Sequence, residues 1–253
     1  MRAQRPLPLE HRLMEILPVL ALFLVRLVAG YAVLLACFAP QVTKGSWVRV
    51  SLFLIAALAL VAVAAKAPLV PCLVTVAAAV LVERGRTFEV KPLSTVLYLL
   101  PGALWALYSM EMNLGAAHGP PWIYPLIGLL AGLTIGGTLA AMLLGHGYLT
   151  ARGLSFTPFR RMAMLLLIVL GLRTLGVLPV ILDGGHAMGD WIFLSARGAF
   201  GLLLPLVFGW MAYQCIKIES NQSATGIYYP MVVLVGAGEL IAAYLRIEEG
   251  LPA

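Results

Sequence analysis

Apolar runs long enough to cross a lipid bilayer recur along this 253-residue chain, and they leave few folds open. About 20 apolar residues in a helix cover a hydrocarbon core of about 30 Å, and several runs reach or exceed that length. The chain is 62% hydrophobic and 11% charged, whereas a soluble domain carries about 25% charged residues. The expected fold is therefore all-α: a polytopic membrane helix bundle, one integral membrane domain over residues 1–253, with no room for a sizeable soluble domain.

The apolar pattern predicts about eight transmembrane helices, near 14–38, 48–65, 68–83, 93–112, 124–148, 160–182, 191–216 and 224–246. Lys66-Ala67-Pro68 breaks a stretch too long for one crossing and predicts a tight hairpin between the second and third helices. Pro101, Pro179 and Pro205 fall inside spans, where they kink a helix and free backbone carbonyls. The three cysteines, Cys37, Cys72 and Cys215, lack metal-ligand spacing and are odd in number, so they read as packing residues. The net charge of +6 reflects basic loops rather than a nucleic-acid surface. Arg84, Arg86 and Lys91, then Arg152, Arg160 and Arg161, then Lys217 mark alternate loops as cytoplasmic. With an even number of spans, both termini are expected to be periplasmic, in a cell (inner) membrane. The basic N-terminus (Arg2, Arg5, Arg12) runs against that orientation, and the run after it is too long for a signal peptide. Trp122, Tyr124 and Trp191 begin spans on the proposed outer side, as an aromatic belt does.

Four charged residues interrupt these apolar stretches: Arg26, Arg173, Arg197 and Glu239. A charge near the bilayer centre costs roughly 2.5–3.5 kcal/mol on insertion scales, so such residues face a bundle interior and pair, or serve a ligand, ion or proton path. At 1.5 Å rise per residue, Arg197 and Glu239 lie roughly 9–10 Å below the outer face, and Arg173 and Arg26 roughly 15–18 Å. Arg197 and Glu239 sit at matching depth on helices joined by a short loop, so they are expected to pair. Glu111 ends its helix near the same face. Arg26 and Arg173 then need partners from helix carbonyls, water, or a ligand with carbonyl or anionic oxygens, which guanidinium matches well.

Gly128, Gly132 and Gly136 recur every four residues, a stripe that lets a neighbouring helix approach closely. His146 lies about 40° from Gly132 around the helix, which predicts that it faces the packed side. It reads as a hydrogen-bonded interface residue, a proton relay or a quinone ligand. Haem is disfavoured, because no second histidine falls within a span; His11, His118 and His186 lie outside them, His118 and His186 in outer loops where they read as solvated or as contacts for a quinone headgroup or a docking partner. No His-Glu-x-x-His, no Gly-x-Ser-x-Gly and no phosphate-binding glycine loop occurs. No metal site and no catalytic residue is expected, and the chain is not expected to perform bond chemistry alone.

Ala237-Gly238-Glu239-Leu240-Ile241 in the last helix follows a helix with Ser195-Ala196-Arg197 early and Trp210 late. Residues 191–246 and the helix count resemble the quinone-reactive membrane-anchor subunits of the DMSO reductase and polysulfide reductase group. Ala242 and Ala243 stand where that pattern tends to continue with Gly-Arg. The resemblance implies a bundle that exchanges electrons between a quinone pool (menaquinone or ubiquinone) and an iron–sulfur or cytochrome partner, with Arg197 and Glu239 at a quinone pocket. It also makes Ser220 to Gly226 the turn entering the last helix, with Ser223 or Thr225 as its cap. The first expectation is thus an integral membrane subunit of a respiratory electron-transfer complex, with Arg197 or Arg173 bonding a ring carbonyl and Glu239 exchanging a proton. The rivals are a transporter of a small anion or metabolite using the same arginines, and a membrane scaffold or assembly subunit whose charges only hold helices together.

Overall fold

The computed structural model describes residues 9–39, 47–87, 93–115, 120–150, 155–182 and 188–251, with the side chains of 9–15, 85–87, 93–98, 181 and 188–190 excepted. The described residues are all helical apart from short connections. The helices are α1 (Leu9–Phe38), α2 (Trp47–Ala64), α3 (Leu69–Thr87), α4 (Leu93–Asn113), α5 (Ile123–Thr150), α6 (Thr157–Leu182), α7 (Met188–Ala196), α8 (Leu204–Lys217) and α9 (Asn221–Glu248). A π-helical segment, Arg197–Leu203, joins α7 to α8, so the stretch expected as one regular span is one span with a widened turn. Six stretches are long and apolar enough to cross a membrane: Ile16–Phe38, Trp47–Ala64, Ile123–Thr150, Thr157–Val180, Trp191–Lys217 and Asn221–Glu248. Their outward faces stay apolar, with Phe53, Leu175, Val207 and Val233 all exposed.

Two connections use the same device. Lys66 takes φ 69°, its N–H donates to Val63 O, and the next N–H, of Ala67, donates to Ala62 O. That double bond is a Schellman stop, followed here by the expected Pro68. Glu219 repeats it between α8 and α9, with φ 58° and bonds from Glu219 N to Ile216 O and Ser220 N to Cys215 O. The last helix then starts at Asn221, earlier than expected. Ser220 is its N-cap residue and makes no capping side-chain bond. Neither Ser223 nor Thr225 caps it: Ser223 bonds Ser220 through the hydroxyls, and Thr225 is buried a turn inside the helix.

The bundle closes around α1 and α5. Gly30 of α1 lies against Gly132 of α5, Tyr31 against Gly136, and Leu34 beside Gly137. Residue numbers rise together, so α1 and α5 run in the same direction. A Cβ built on Gly30 would stand 1.9 Å from the backbone of Gly132, and one on Gly132 2.1 Å from the Arg26 carbonyl. Of the expected glycine stripe, Gly132 and Gly136 therefore have α1 as their partner, backbone on backbone, whereas Gly128 faces the Glu111 and Leu107 side chains of α4. A second crossing of this kind sets Gly201, in the π segment, on Gly238 of α9, where a Cβ on Gly238 would lie 2.3 Å from the Gly201 Cα. Of the cysteines, Cys72 is buried and Cys215 half-buried as packing predicts, whereas Cys37 is exposed.

Candidate functional site

Six charged side chains are buried among the described residues: Arg26, Glu111, Arg173, Arg197, Glu239 and Arg246. Arg26, Arg173 and Glu239 lie well inside α1, α6 and α9, whereas Glu111 and Arg246 lie in the last turns of α4 and α9. Two carboxylates organise them.

Glu111, two residues before the end of α4, faces α1. Arg26 Nε donates to its Oε1 at 2.7 Å, and Arg246 Nε stands 3.5 Å from its Oε2. The Arg246 guanidinium also donates to the Gly115 carbonyl and lies 3.9 Å above the centre of the Tyr124 ring. Gly115 follows the end of α4 with φ 72°, and that left-handed turn presents a carbonyl at the negative end of the helix dipole to the cation.

Glu239 on α9 organises the other three-membered group. Arg173 of α6 donates from Nη2 to Glu239 Oε2 at 2.9 Å, and Arg197 Nη1 lies 3.6 Å from the same oxygen. Arg197 Nη1 instead donates to the Gly238 carbonyl at 3.0 Å. The expected Arg197–Glu239 pair is thus a longer contact within a shared site, and Arg173, expected deeper, holds the shorter bond. Helix rise alone misplaces it because the long arginine side chain bridges the difference in depth. The close Gly201–Gly238 crossing explains Arg197: it begins the π segment, and the absence of side chains at the crossing brings its guanidinium onto the α9 backbone. The π turn has its own cause. Pro205 has no N–H to offer the Gly201 carbonyl four residues back, and the Leu204 N–H reaches Ala199 O, five residues back. Widened turns of this kind recur at functional sites.

The two groups share α9, on which Glu239 and Arg246 stand seven residues apart along one face. The hydrogen bonding is incomplete. Arg197 Nε and Nη2, Arg26 Nη1 and Glu239 Oε1 are buried and make no hydrogen bond among the described residues. A buried polar group left so costs about 1–3 kcal/mol, and more if charged. Arg197 is 0% exposed. A crevice of about 280 Å³ lies between α1 and α9, lined by Ile16, Val19, Tyr244 and Glu248, none of them a member of the cluster.

The structure thus brings Arg26, Arg173, Arg197 and Glu239 together and leaves His146 apart. His146 is exposed, not on the packed face. The α1 helix stops at Phe38, before α5 reaches His146, so α1 does not cover that side. His118, His186 and the Asp183–Ala187 stretch lie outside the described residues, as does the side chain of His11. Tyr124 is buried beneath Arg246 rather than part of a lipid-facing belt, which Trp122, 66% exposed, does fit. Sequence reasoning missed Glu111 as the partner of Arg26, and missed Arg246 as a member of the cluster. A signal existed for Arg246: it stands seven residues after Glu239, two turns along the same face. No group of three or more histidine, cysteine, aspartate or glutamate side chains is placed to hold a metal among the described residues. No family model, curated protein or solved structure matches the chain.

Proposed function

We propose that this chain is the membrane-embedded, quinone- or quinol-binding subunit of an electron-transfer complex. The observation that carries the reading is Arg197: enclosed, beside a carboxylate, with Nε and Nη2 hydrogens unengaged among the described residues. A quinone ring carbonyl is a neutral acceptor that such donors bind without adding net charge. Glu239 Oε1, also without a hydrogen bond, is the acceptor for a quinol proton, and the crevice between α1 and α9 is the approach for the headgroup. The isoprenoid tail lies along the apolar outer faces, and electrons pass to a partner subunit carrying iron–sulfur or haem centres. The reading takes all eight helical passes as crossings of an inner membrane. Because α1 and α5 run in the same direction while α2 crosses, α3 and α4 cross as a pair or not at all. Their exposed apolar residues (Val70, Val80, Leu104, Trp105) favour the pair.

The test is a mild-detergent extract analysed for co-purifying subunits and bound quinone, followed by quinol oxidation in native protein and in Glu239→Gln and Arg197→Lys. Co-purification with a redox protein, and turnover lowered at least tenfold in both variants with membrane insertion intact, supports the reading. A chain that purifies alone, carries no quinone and moves a small anion across liposomes abandons it in favour of a transporter.

A further inference from the structure

Far from the buried cluster, a groove of about 220 Å³ opens between α2 and α3. Leu52 and Ala79 are buried and form its floor, and Phe53 and Val80, both exposed, flank it, so it faces outward. Alanine at 56 and 79 puts only a methyl where a longer side chain would fill the space between the helices. Glu83 and Arg84 line the charged end of the groove. There Arg49, in the first turn of α2, donates from Nε to Glu83 Oε1 at 2.6 Å. That bond uses one edge of the guanidinium, and the side chain stays exposed. Arg84 is exposed too and enters no ion pair among the described residues. Two cations and one carboxylate thus stand at the head of an apolar groove. From Arg49 to Ala56 the groove follows α2 for about 10 Å. Since α2 is just long and apolar enough to cross a membrane, its first turn lies at the level of lipid headgroups and the groove at that of acyl chains.

We propose that this groove holds one acyl chain of an anionic glycerophospholipid, whose phosphate is bound by Arg84 and by the exposed face of Arg49. Charge selects the headgroup. Guanidinium pairs with phosphate oxygens in a fixed fork, and basic pockets between membrane helices take anionic headgroups. A lipid of net charge −1 answers the one uncompensated cation, whereas a zwitterionic lipid brings its own cation against Arg84. Lys44, Arg86 and Lys91 flank these helix ends in the sequence, with Glu89 the one further acid. The occupant must carry an anionic group with an apolar chain directly beneath it. A phospholipid has both, free phosphate lacks the chain, and a quinone lacks the charge. The site needs only that α2 cross a membrane, not that the buried arginines bind quinone.

The experiment uses the full chain, delipidated in neutral detergent, titrated with phosphatidylglycerol or phosphatidylcholine of the same acyl chains and followed by native mass spectrometry. The expected result is saturable retention of one phosphatidylglycerol in preference to phosphatidylcholine. Apparent affinity should fall about fivefold in Arg84→Gln, the worth of one arginine at an anionic lipid surface. Ala56→Phe, which fills the groove without touching the charges, should weaken retention as well. Arg160→Gln, an exposed arginine at the start of α6, should leave it unchanged. Equal retention of the two lipids overturns the proposal, as does a preference undiminished in both Arg84→Gln and Arg49→Gln, or lowered as much by Arg160→Gln. Inorganic phosphate is titrated in parallel, with the unfolding midpoint as readout. A rise matching that from phosphatidylglycerol and untouched by Ala56→Phe makes the site one for free phosphate and overturns the lipid. A dimer that Ala56→Phe dissociates, with lipid retention unchanged, gives the groove to a second copy and overturns it too. Should Ala56→Phe fail to fold, phosphatidylglycerol with a diazirine in its acyl chain is cross-linked to the native protein. Adducts concentrated at residues 52–56 and 79–80 uphold the site, and adducts spread evenly over the outer faces overturn it.

Discussion

Two arginine–glutamate contacts of almost equal length stand at opposite ends of this bundle. Arg26 Nε, midway along α1, meets Glu111 Oε1 at 2.7 Å, and Arg49 Nε meets Glu83 Oε1 at 2.6 Å where α2 begins. The first pair is 2% and 0% exposed and the second 64% and 19%. Identical chemistry therefore sits in two different dielectrics. At the exposed end, water reaches the Arg49 guanidinium freely and screens the attraction. At the enclosed end nothing solvates a charge that loses its partner, and taking both charges from water costs more than their attraction returns unless the remaining donors are satisfied. They are not all satisfied here, so stability alone gives no account of why arginines gather at one end.

The hardest test of this contrast is Glu111→Gln. It leaves Arg26 and Arg246 without their carboxylate and adds to an existing surplus of positive charge. Removing one partner of a buried ion pair costs about 3–5 kcal/mol, and that loss is expected in reversible unfolding from mixed micelles. Arg26→Gln should cost distinctly less, since Arg246 still serves Glu111 at 3.5 Å and one repelling cation has gone. Equal losses in the two variants would show that the positive surplus has no energetic weight.

The glycine crossings separate the ends by sterics instead of charge. Gly132→Ala would push a methyl to within 2.1 Å of the Arg26 carbonyl. Backbone cannot yield as a side chain does, and the loss should be at the top of the roughly 1–3 kcal/mol typical of overpacking. Gly226→Ala, at the other end, meets nothing within 4 Å and should gain a few tenths to about 1 kcal/mol from helix propensity. Thermal unfolding of the two variants side by side reads the difference directly. Losing Gly132→Ala without moving Arg26 would separate the crossing from the cluster; a matching fall in ligand binding would join them.

The fold was legible because lipid leaves the chain so little choice: apolar run length and the Lys66-Ala67-Pro68 break placed most helices to within a few residues. The glycine stripe announced a close crossing but not its partner, since periodicity on one helix carries no information about which neighbour fills the groove. The same gap explains the site. Charges inside apolar runs marked Arg26, Arg173, Arg197 and Glu239 for burial, yet pairing depends on helix order around the bundle, which put Glu111 rather than a helix carbonyl beside Arg26. Arg246 was hidden by its place near a helix end, where arginine ordinarily reaches headgroups. The π turn was hidden as well, because Pro205 predicts a disturbance without saying which way the helix resolves it.

At the end away from the cluster, neutral hydrogen bonds join α9 to α5. Asn221 Nδ2 donates to the Gly145 carbonyl at 3.2 Å, and the Thr225 hydroxyl to Asn221 Oδ1 at 3.3 Å. These bonds tie the first turn of α9 to α5, beside the stacked Tyr148 and Phe159 rings. Asn221→Ala removes both and should cost about 1 kcal/mol, the net worth of a neutral hydrogen bond, with ligand binding at the charged end unchanged. A large loss of binding would instead reveal coupling along α9.

The smallest effect belongs to the exposed pair, and it completes the comparison. Arg49→Gln breaks a contact as short as that of Arg26, so bond length alone predicts equal damage. Solvent exposure predicts at most about 1 kcal/mol. That remainder should shrink further in high salt, because screening acts over about 8–10 Å at moderate ionic strength and reaches an exposed pair freely. The Glu111→Gln loss should be nearly salt-independent, because Arg26 and Glu111 are enclosed. Four unfolding measurements, two variants at low and high salt, thus separate a pair at the surface from one in the interior. A salt response of the same size in both variants would mean that the enclosed pair is as open to solvent as the other.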